Sequence, residues 1–363
     1  MSSVSRDPSD WRETMPPTTS TTSTASTQGH HRRVIAVVVL APVLVALALW
    51  AFAWPAARIA PRDLPLGVAG PAAAVTQAER QLSAHEGAFE IHRYADEAAA
   101  REAIEDRTVY GAVVVTPRGP KLLTASAASP VVAQILQQAV TEQAARTGGS
   151  GAQVSTVDVV PAAANDPRGA AFGASVLPLA LAGVAAGAVV TLLGLRGVRA
   201  AGALVAAAAL VGITAAAVAH SWLGVLTGDW WAEAGALGLT ALAASGAVAG
   251  LAALLGTPGI GLGSLTVVLL GNPFSGATSA PRLLPDPVGT IGQWLPPGAG
   301  ASLLRSVSFF DGAAALGPAL TLTWWAALGL GAVLLGSSLK RRKEDGNSEP
   351  APAVAEREPA LAN

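Results

Sequence analysis

A polytopic α-helical membrane protein, with six transmembrane helices and a small α/β extracytoplasmic domain between helices one and two, is predicted by three features of this sequence. Charged residues are scarce and leave long charge-free runs. Basic residues and tryptophans gather at opposite ends of those runs. One segment, between the first two runs, instead alternates strand-like and helix-like patterns.

The chain has 363 residues, 51% of them hydrophobic and 13% charged, and a mean hydropathy of +0.46. Ordinary soluble domains are about 25% charged. Arg33 to Arg58 leaves 24 uncharged positions, Arg168 to Arg196 leaves 27, Arg199 to His220 leaves 20, Glu233 to Arg282 leaves 48 and Asp311 to Lys340 leaves 28. About 20 apolar residues cross a bilayer as a helix. Four runs therefore hold one span each. The longest holds two, divided at Gly256-Thr257-Pro258-Gly259, a strong turn signal. The expected spans lie near 34–54, 171–195, 201–219, 234–255, 259–272 and 318–339. Asn272-Pro273 cuts the fifth short, leaving a partial helix or one continuing to Ala280.

Arg32-Arg33, Arg196 with Arg199, and Lys340-Arg341-Arg342-Lys343 fall on one side of a six-span chain. The positive-inside rule makes that side cytoplasmic, with both termini inside. The opposite loop, 220–233, holds Asp229 and Glu233 but no Lys or Arg. Trp50 and Trp54 end the first span, Trp222, Trp230 and Trp231 lie in that loop, and Trp324 and Trp325 begin the sixth span. Trp294 is also placed outside, in keeping with the preference of indoles for the interface. Ala51-Phe52-Ala53 is faintly cleavage-like, but the apolar run is longer than a signal-peptide core and favours an uncleaved anchor.

The organisation expected is a disordered cytoplasmic tail at 1–33, the first helix at 34–54, an extracytoplasmic α/β domain at 55–169, a five-helix transmembrane domain at 170–339 and a second disordered tail at 340–363. The tails are rich in Ser, Thr, Pro, Ala and Glu, and bury too little apolar surface to order themselves. In the α/β domain, strands are expected at 64–69, 88–94, 109–116, 122–125 and 154–160. Helices are expected at 71–85, 96–106 with Asp96 as cap, and 130–146.

Several function classes are excluded. There is no Cys, so disulfides, thiolate metal sites and Cys nucleophiles are absent. A net charge of −1 with pI near 6.5 argues against nucleic acid as partner. No P-loop, G-x-S-x-G or H-E-x-x-H occurs, so no ATPase, hydrolytic enzyme or cofactor is expected. Gly259, Gly261 and Gly263 lie between spans, where close helix packing explains them better than a dinucleotide site. The GxxxG pairs Gly183/Gly187 and Gly246/Gly250 suit helix contact. His220, Asp229 and Glu233 could hold a metal, but solvated loop residues are the better reading, and no metal is expected.

The Pro/Gly-rich outer segment, 272–317, is apolar yet cannot form one straight span. Broken backbone at membrane depth is tolerated only where it is buried in protein or lines a cavity. Ala299–Phe310 reads as a short amphipathic helix at the outer surface or re-entering, with Arg305 and Asp311 as its only charges. Individually these two would anchor the helix at the interface. As a whole, the segment reads as a gate or outer vestibule marked by Asn272, Pro273, Pro296, Pro297, Arg305 and Asp311.

The layout of one span, an outer domain and five further spans resembles the ABC-2-type permease superfamily. Asn272-Pro273-Phe274-Ser275-Gly276, Leu284-Pro285, Leu295-Pro296-Pro297-Gly298-Ala299, Leu304-Arg305 and the Tyr94–Val115 stretch are similar to its Pip/YhgE (phage infection protein) branch and related actinobacterial membrane proteins. The match spans roughly 34–340; Val68-Ala69-Gly70-Pro71 departs from that branch's Val-Val-Asn-Glu/Asp signature. The resemblance implies a permease-like subunit in the bacterial cytoplasmic membrane, compatible with a homodimer and a separate ATPase subunit, and with the lipid bilayer as its surroundings. Export of a hydrophobic or amphipathic substrate is the leading expectation. The alternative is an extracytoplasmic receptor or secretion scaffold whose spans only anchor it.

Overall fold

The computed structural model describes residues 24–83, 87–117, 119–148 and 154–347. The chain divides into two compact units, Met1–Leu49 and Trp50–Asn363. The first holds most of helix α1 (Thr24–Ala56). Apolar residues surround this helix, and Val38, Val39, Leu40 and Leu49 are exposed. A helix that is apolar all round belongs in a core or in lipid.

The second unit begins with a five-stranded sheet of order β2-β1-β3-β4-β5. Its strands are β1 (Leu64–Ala69), β2 (Phe89–Tyr94), β3 (Gly111–Thr116), β4 (Gly119–Thr124) and β5 (Ser155–Asp158). β1 pairs in parallel with β2 and β3, β3 and β4 form an antiparallel hairpin, and β5 joins β4 in parallel. Helices α2 (Ala72–Ser83), α3 (Glu97–Glu105) and α4 (Pro130–Gly148) make the connections. Asp96 caps α3, its Oδ1 accepting from the Ala99 N–H at 2.9 Å. Residues on alternate positions fill two cores, as the two-residue period of strands requires. Leu64, Leu66, Val113 and Leu122 pack with Leu136 of α4 on one face. Ala69, Ala112, Val114 and Leu123 pack with Ile104 of α3 on the other.

Helix α5 (Ala170–Leu192) follows, then α6 (Gly197–Ala216), which continues as a π-helix over Ala217–Trp222. Helix α7 (Trp230–Leu255) is the centre of the helical part, packing against α5, α6 and α12 (Leu316–Asn347). The glycine pairs explain how closely. A Cβ on Gly187 would stand 2.6 Å from the Ser245 carbonyl oxygen, and one on Gly329 of α12 would stand 2.3 Å from the Gly246 backbone. Small residues at both seams let the backbones touch. The outer rim is apolar: Leu192, Val198, Leu210 and Leu328 are exposed. An apolar surface this extensive is suited to lipid rather than to water.

Five helical stretches are long and apolar enough to cross a membrane: Val38–Ala56, Ala170–Leu192, Gly197–Trp222, Trp230–Leu255 and Leu316–Leu339. Of the two alternatives for the fifth expected span, at 259–272, the shorter fits: the helix there ends at Phe274. It runs without a break as α8 (Thr257–Ser264), a π-helical stretch Leu265–Gly271 and the closing turn α9 (Asn272–Phe274). Pro258 stands in its first turn, where a missing N–H costs nothing, and Pro273 in its last. The tails also shift. α1 begins at Thr24 rather than after residue 33, and α12 continues past Leu339 to Asn347. Arg, Lys and Glu are good helix formers, and a helix already nucleated extends cheaply. The tails at 1–23 and 348–363 lie outside the described residues. Trp324 and Trp325 do not begin α12 either. Trp325 is nine residues, about 13 Å, beyond Leu316. Its Nε1 donates to the Trp294 carbonyl at 2.7 Å, which satisfies the indole away from a helix end.

Candidate functional site

The stretch joining α9 to α12 carries most of the polar chemistry within the helical part. It contains a 3-10 turn at Pro281–Leu283, helix α10 (Val288–Gln293) and helix α11 (Pro296–Phe309). Leu295 is extended and Pro296-Pro297 open α11, where a missing N–H costs nothing. Both prolines are buried, and Pro297 packs against Gly271. A Cβ on Gly300 would stand 2.5 Å from Thr240 of α7, about 15 Å from the start of that helix. Eleven of the fourteen α11 residues are buried. The helix is buried against α7 and does not lie on the surface of the helical part.

This stretch also clamps the sheet. Phe310 joins the core on one face and Ala280 and Leu283 the core on the other. The Ala60 and Arg62 N–H groups donate to the Leu283 and Arg282 carbonyls, each at 3.1 Å.

Two arginines meet at this junction. Arg305 was expected to anchor α11 at an interface, and instead only 5% of it is exposed. Its Nη2 donates to the Ala277 carbonyl at 3.0 Å, and its guanidinium carbon lies 4.6 Å from the Phe172 ring centre. Arg107 follows α3 with φ +60, in the left-handed region, as the chain turns back toward β3. Its Nη1 donates to the Ser302 carbonyl at 3.0 Å and to the Ser306 hydroxyl. Its guanidinium carbon lies 5.2 Å from the Phe310 ring centre. Ser302 in turn donates to Gln293 Oε1, and Gln293 Nε2 donates to the Ser275 carbonyl at 2.9 Å. Neither arginine forms an ion pair among the described residues. Burial lowers the pKa of Arg107 from the usual arginine value. Burial and the nearby Arg107 bring Arg305, which lies outside the five spans, to about 10. Both remain cations at neutral pH.

The other sequence candidates are distributed around this junction. Asn272 and Pro273 are half-buried, and the Asn272 carbonyl accepts from the Ser275 N–H and hydroxyl. Asp311 stands apart, exposed on the bend before α12. Beside α10 and α12, Gln293, Trp294, Leu320, Trp324 and Trp325 line a groove of about 580 Å³.

A second polar group joins α6 to α7. Glu233 was expected to be solvated and is fully buried. Its Oε1 accepts from the Gly228 N–H at 2.9 Å, and its Oε2 lies 2.8 Å from His220 Nδ1. Asp229 caps α7, accepting from the Ala232 N–H at 2.8 Å. Among the described residues, no group of three or more His, Asp or Glu side chains is placed to hold a metal. Sequence reasoning missed Arg107 and the burial of Glu233. No local sequence signal marks either: the π-helical turn at Ala217–Trp222 that carries His220 is visible only in the fold.

A family model described as ABC-2 family transporter protein matches residues 32–159, from the apolar part of α1 through β5. No curated protein matches, and no solved structure does. Over that stretch the chain is similar to the ABC-2 transporter family, and with its apolar helices this supports a multi-pass membrane protein.

Proposed function

We propose that the chain is an ABC-2-type permease-like membrane subunit that exports a hydrophobic or amphipathic substrate with a separately encoded ATPase. The observation that carries this reading is the family match over 32–159, which covers the first apolar helix and the sheet, followed by four more helices of spanning length. The sequence has no P-loop, so the energy would come from a partner. The tryptophan-lined groove beside α10 and α12 has the apolar lining an amphipathic molecule requires.

In this reading the sheet is extracytoplasmic, both termini are cytoplasmic, and the membrane is the bacterial cytoplasmic membrane, following the distribution of Lys, Arg and Trp. The Pip/YhgE-like branch and a homodimer belong to the same proposal. Asn272, Pro273, Pro296, Pro297, Arg305 and Asp311 mark the outer vestibule, with α8 to α9 as a sixth, short helix entering the membrane. The alternative is a membrane-anchored receptor or secretion scaffold, favoured by one observation: the sheet is clamped on both faces by residues of 280–310, so a load on it would reach the helices.

Everted membrane vesicles test the proposal. ATP-dependent uptake of an amphipathic fluorescent dye is expected to be greater in vesicles from cells carrying the chain than in vesicles lacking it. Equal uptake across a panel of amphipathic dyes counts against export and favours the scaffold.

A further inference from the structure

Arg107 and Arg305 present an unusual charge problem. They come from parts of the chain nearly 200 residues apart, and Arg107 bonds Ser302 and Ser306 of α11, on either side of Arg305 in the sequence. Their protein partners are the Ala277 and Ser302 carbonyls, the Ser306 hydroxyl and the faces of Phe172 and Phe310. These partners orient the guanidiniums, but none carries a negative charge. Moving each cation out of water is costly, and bringing two together adds repulsion. Elsewhere in the sheet layer the chain gives several of its cations a carboxylate, as Arg93 with Glu79 and Lys121 with Glu97. Here it does not.

We propose that Arg107 and Arg305 together bind a phosphate group as a dianion, presented either by a lipid phosphomonoester headgroup or as free inorganic phosphate. One dianion neutralises both cations, which a single carboxylate cannot do. The planar guanidinium fork matches phosphate oxygens, and arginine is weakly hydrated enough to be held in a largely buried site. The Ser306 hydroxyl, bonded to Arg107, adds a polar group suited to an oxyanion. Approach is from the side of Arg107, which is half-buried, since Arg305 is buried. A ligand held there would bridge the sheet to α11. This inference concerns binding and stands whether or not the chain transports anything.

The intact chain, reconstituted in phosphatidylcholine nanodiscs, supplies the test. Inorganic phosphate is titrated into one preparation, and phosphatidic acid is built into the bilayer of another. Thermal unfolding followed by tryptophan fluorescence, together with native mass spectrometry, reports binding. A saturable rise in the unfolding midpoint is expected with one of the two. A rise with phosphate alone identifies a soluble ligand, and a rise only with phosphatidic acid identifies a lipid. Arg107→Gln is expected to weaken binding about tenfold or more, as loss of a charge-assisted contact does. Arg305→Lys, which keeps the charge but loses the fork, is expected to weaken it less. Arg93→Gln, at an exposed pair, is expected to leave it unchanged. If neither ligand shifts the wild-type chain, or if all three variants bind as it does, the proposal is wrong. The wild-type measurement decides even if a variant fails to fold.

Discussion

His220 Nδ1 lies 2.8 Å from Glu233 Oε2, joining the π-helical end of α6 to the first turn of α7. The carboxylate is fully buried, and its other oxygen accepts the Gly228 N–H. Ionisable groups buried beside membrane helices are costly and need partners. Glu233→Ala leaves an imidazole nitrogen and a backbone N–H without their acceptor. The expected cost is about 1–3 kcal/mol, and Glu233→Gln, which can still accept, should cost less. Thermal unfolding in detergent checks the order; equal midpoints for all three proteins would contradict it.

The seam between α5 and α7 depends on Gly187. Gly187→Leu places a side chain against the Ser245 backbone, and overpacking of this kind typically costs about 1–3 kcal/mol. Gly235 has no neighbour within 4 Å of an added Cβ, so Gly235→Ala is expected to be neutral or slightly stabilising. Unfolding midpoints of the two variants should fall on opposite sides of, or one below and one at, the wild-type value.

Acid should weaken the sheet through Glu97. The hydrogen bond from Lys121 lowers its pKa first, with further help from the charges of Lys121 and Arg101. A carboxyl whose folded pKa is depressed adds stability that is present above its unfolded pKa, near 4.3, and is lost as pH falls through the folded value. Because 35% of the side chain is exposed, the contribution stays below about 1 kcal/mol. Lys121→Met should flatten the fall in unfolding midpoint below about pH 4.5. An unchanged slope would show that the pair contributes nothing.

The proposed orientation can be read chemically because the chain has no Cys. Gln77→Cys on α2 and Leu195→Cys between α5 and α6 are both exposed positions. A membrane-impermeant maleimide is expected to label the first in intact cells and the second only after permeabilisation. The reverse pattern would invert the topology.

Much of this arrangement was legible because it follows from local pattern. The charge-free run after Arg168 gives α5 within a few residues, and Leu-Pro-Leu-Gly-Val-Ala at 64–69 is β1. Asp96 was recognisable as a cap because capping is set by residues three apart. Long-range partnership was not legible. Nothing near Arg107 indicates that it will reach Ser302 and Ser306, and nothing near Glu233 indicates that the loop 223–229 will fold over it. The fifth expected span was legible as a short helix from Asn272-Pro273, but its packing was not: Gly263 is set on Val248 of α7.

The central claim is that this chain works with a separate ATPase. Affinity purification of the intact protein from its native membrane in mild detergent, with mass spectrometry of what accompanies it, tests that claim most directly. The account predicts a stoichiometric protein carrying a P-loop. Recovery of extracytoplasmic or secretion proteins bound through the sheet, with no ATPase among them, would contradict it.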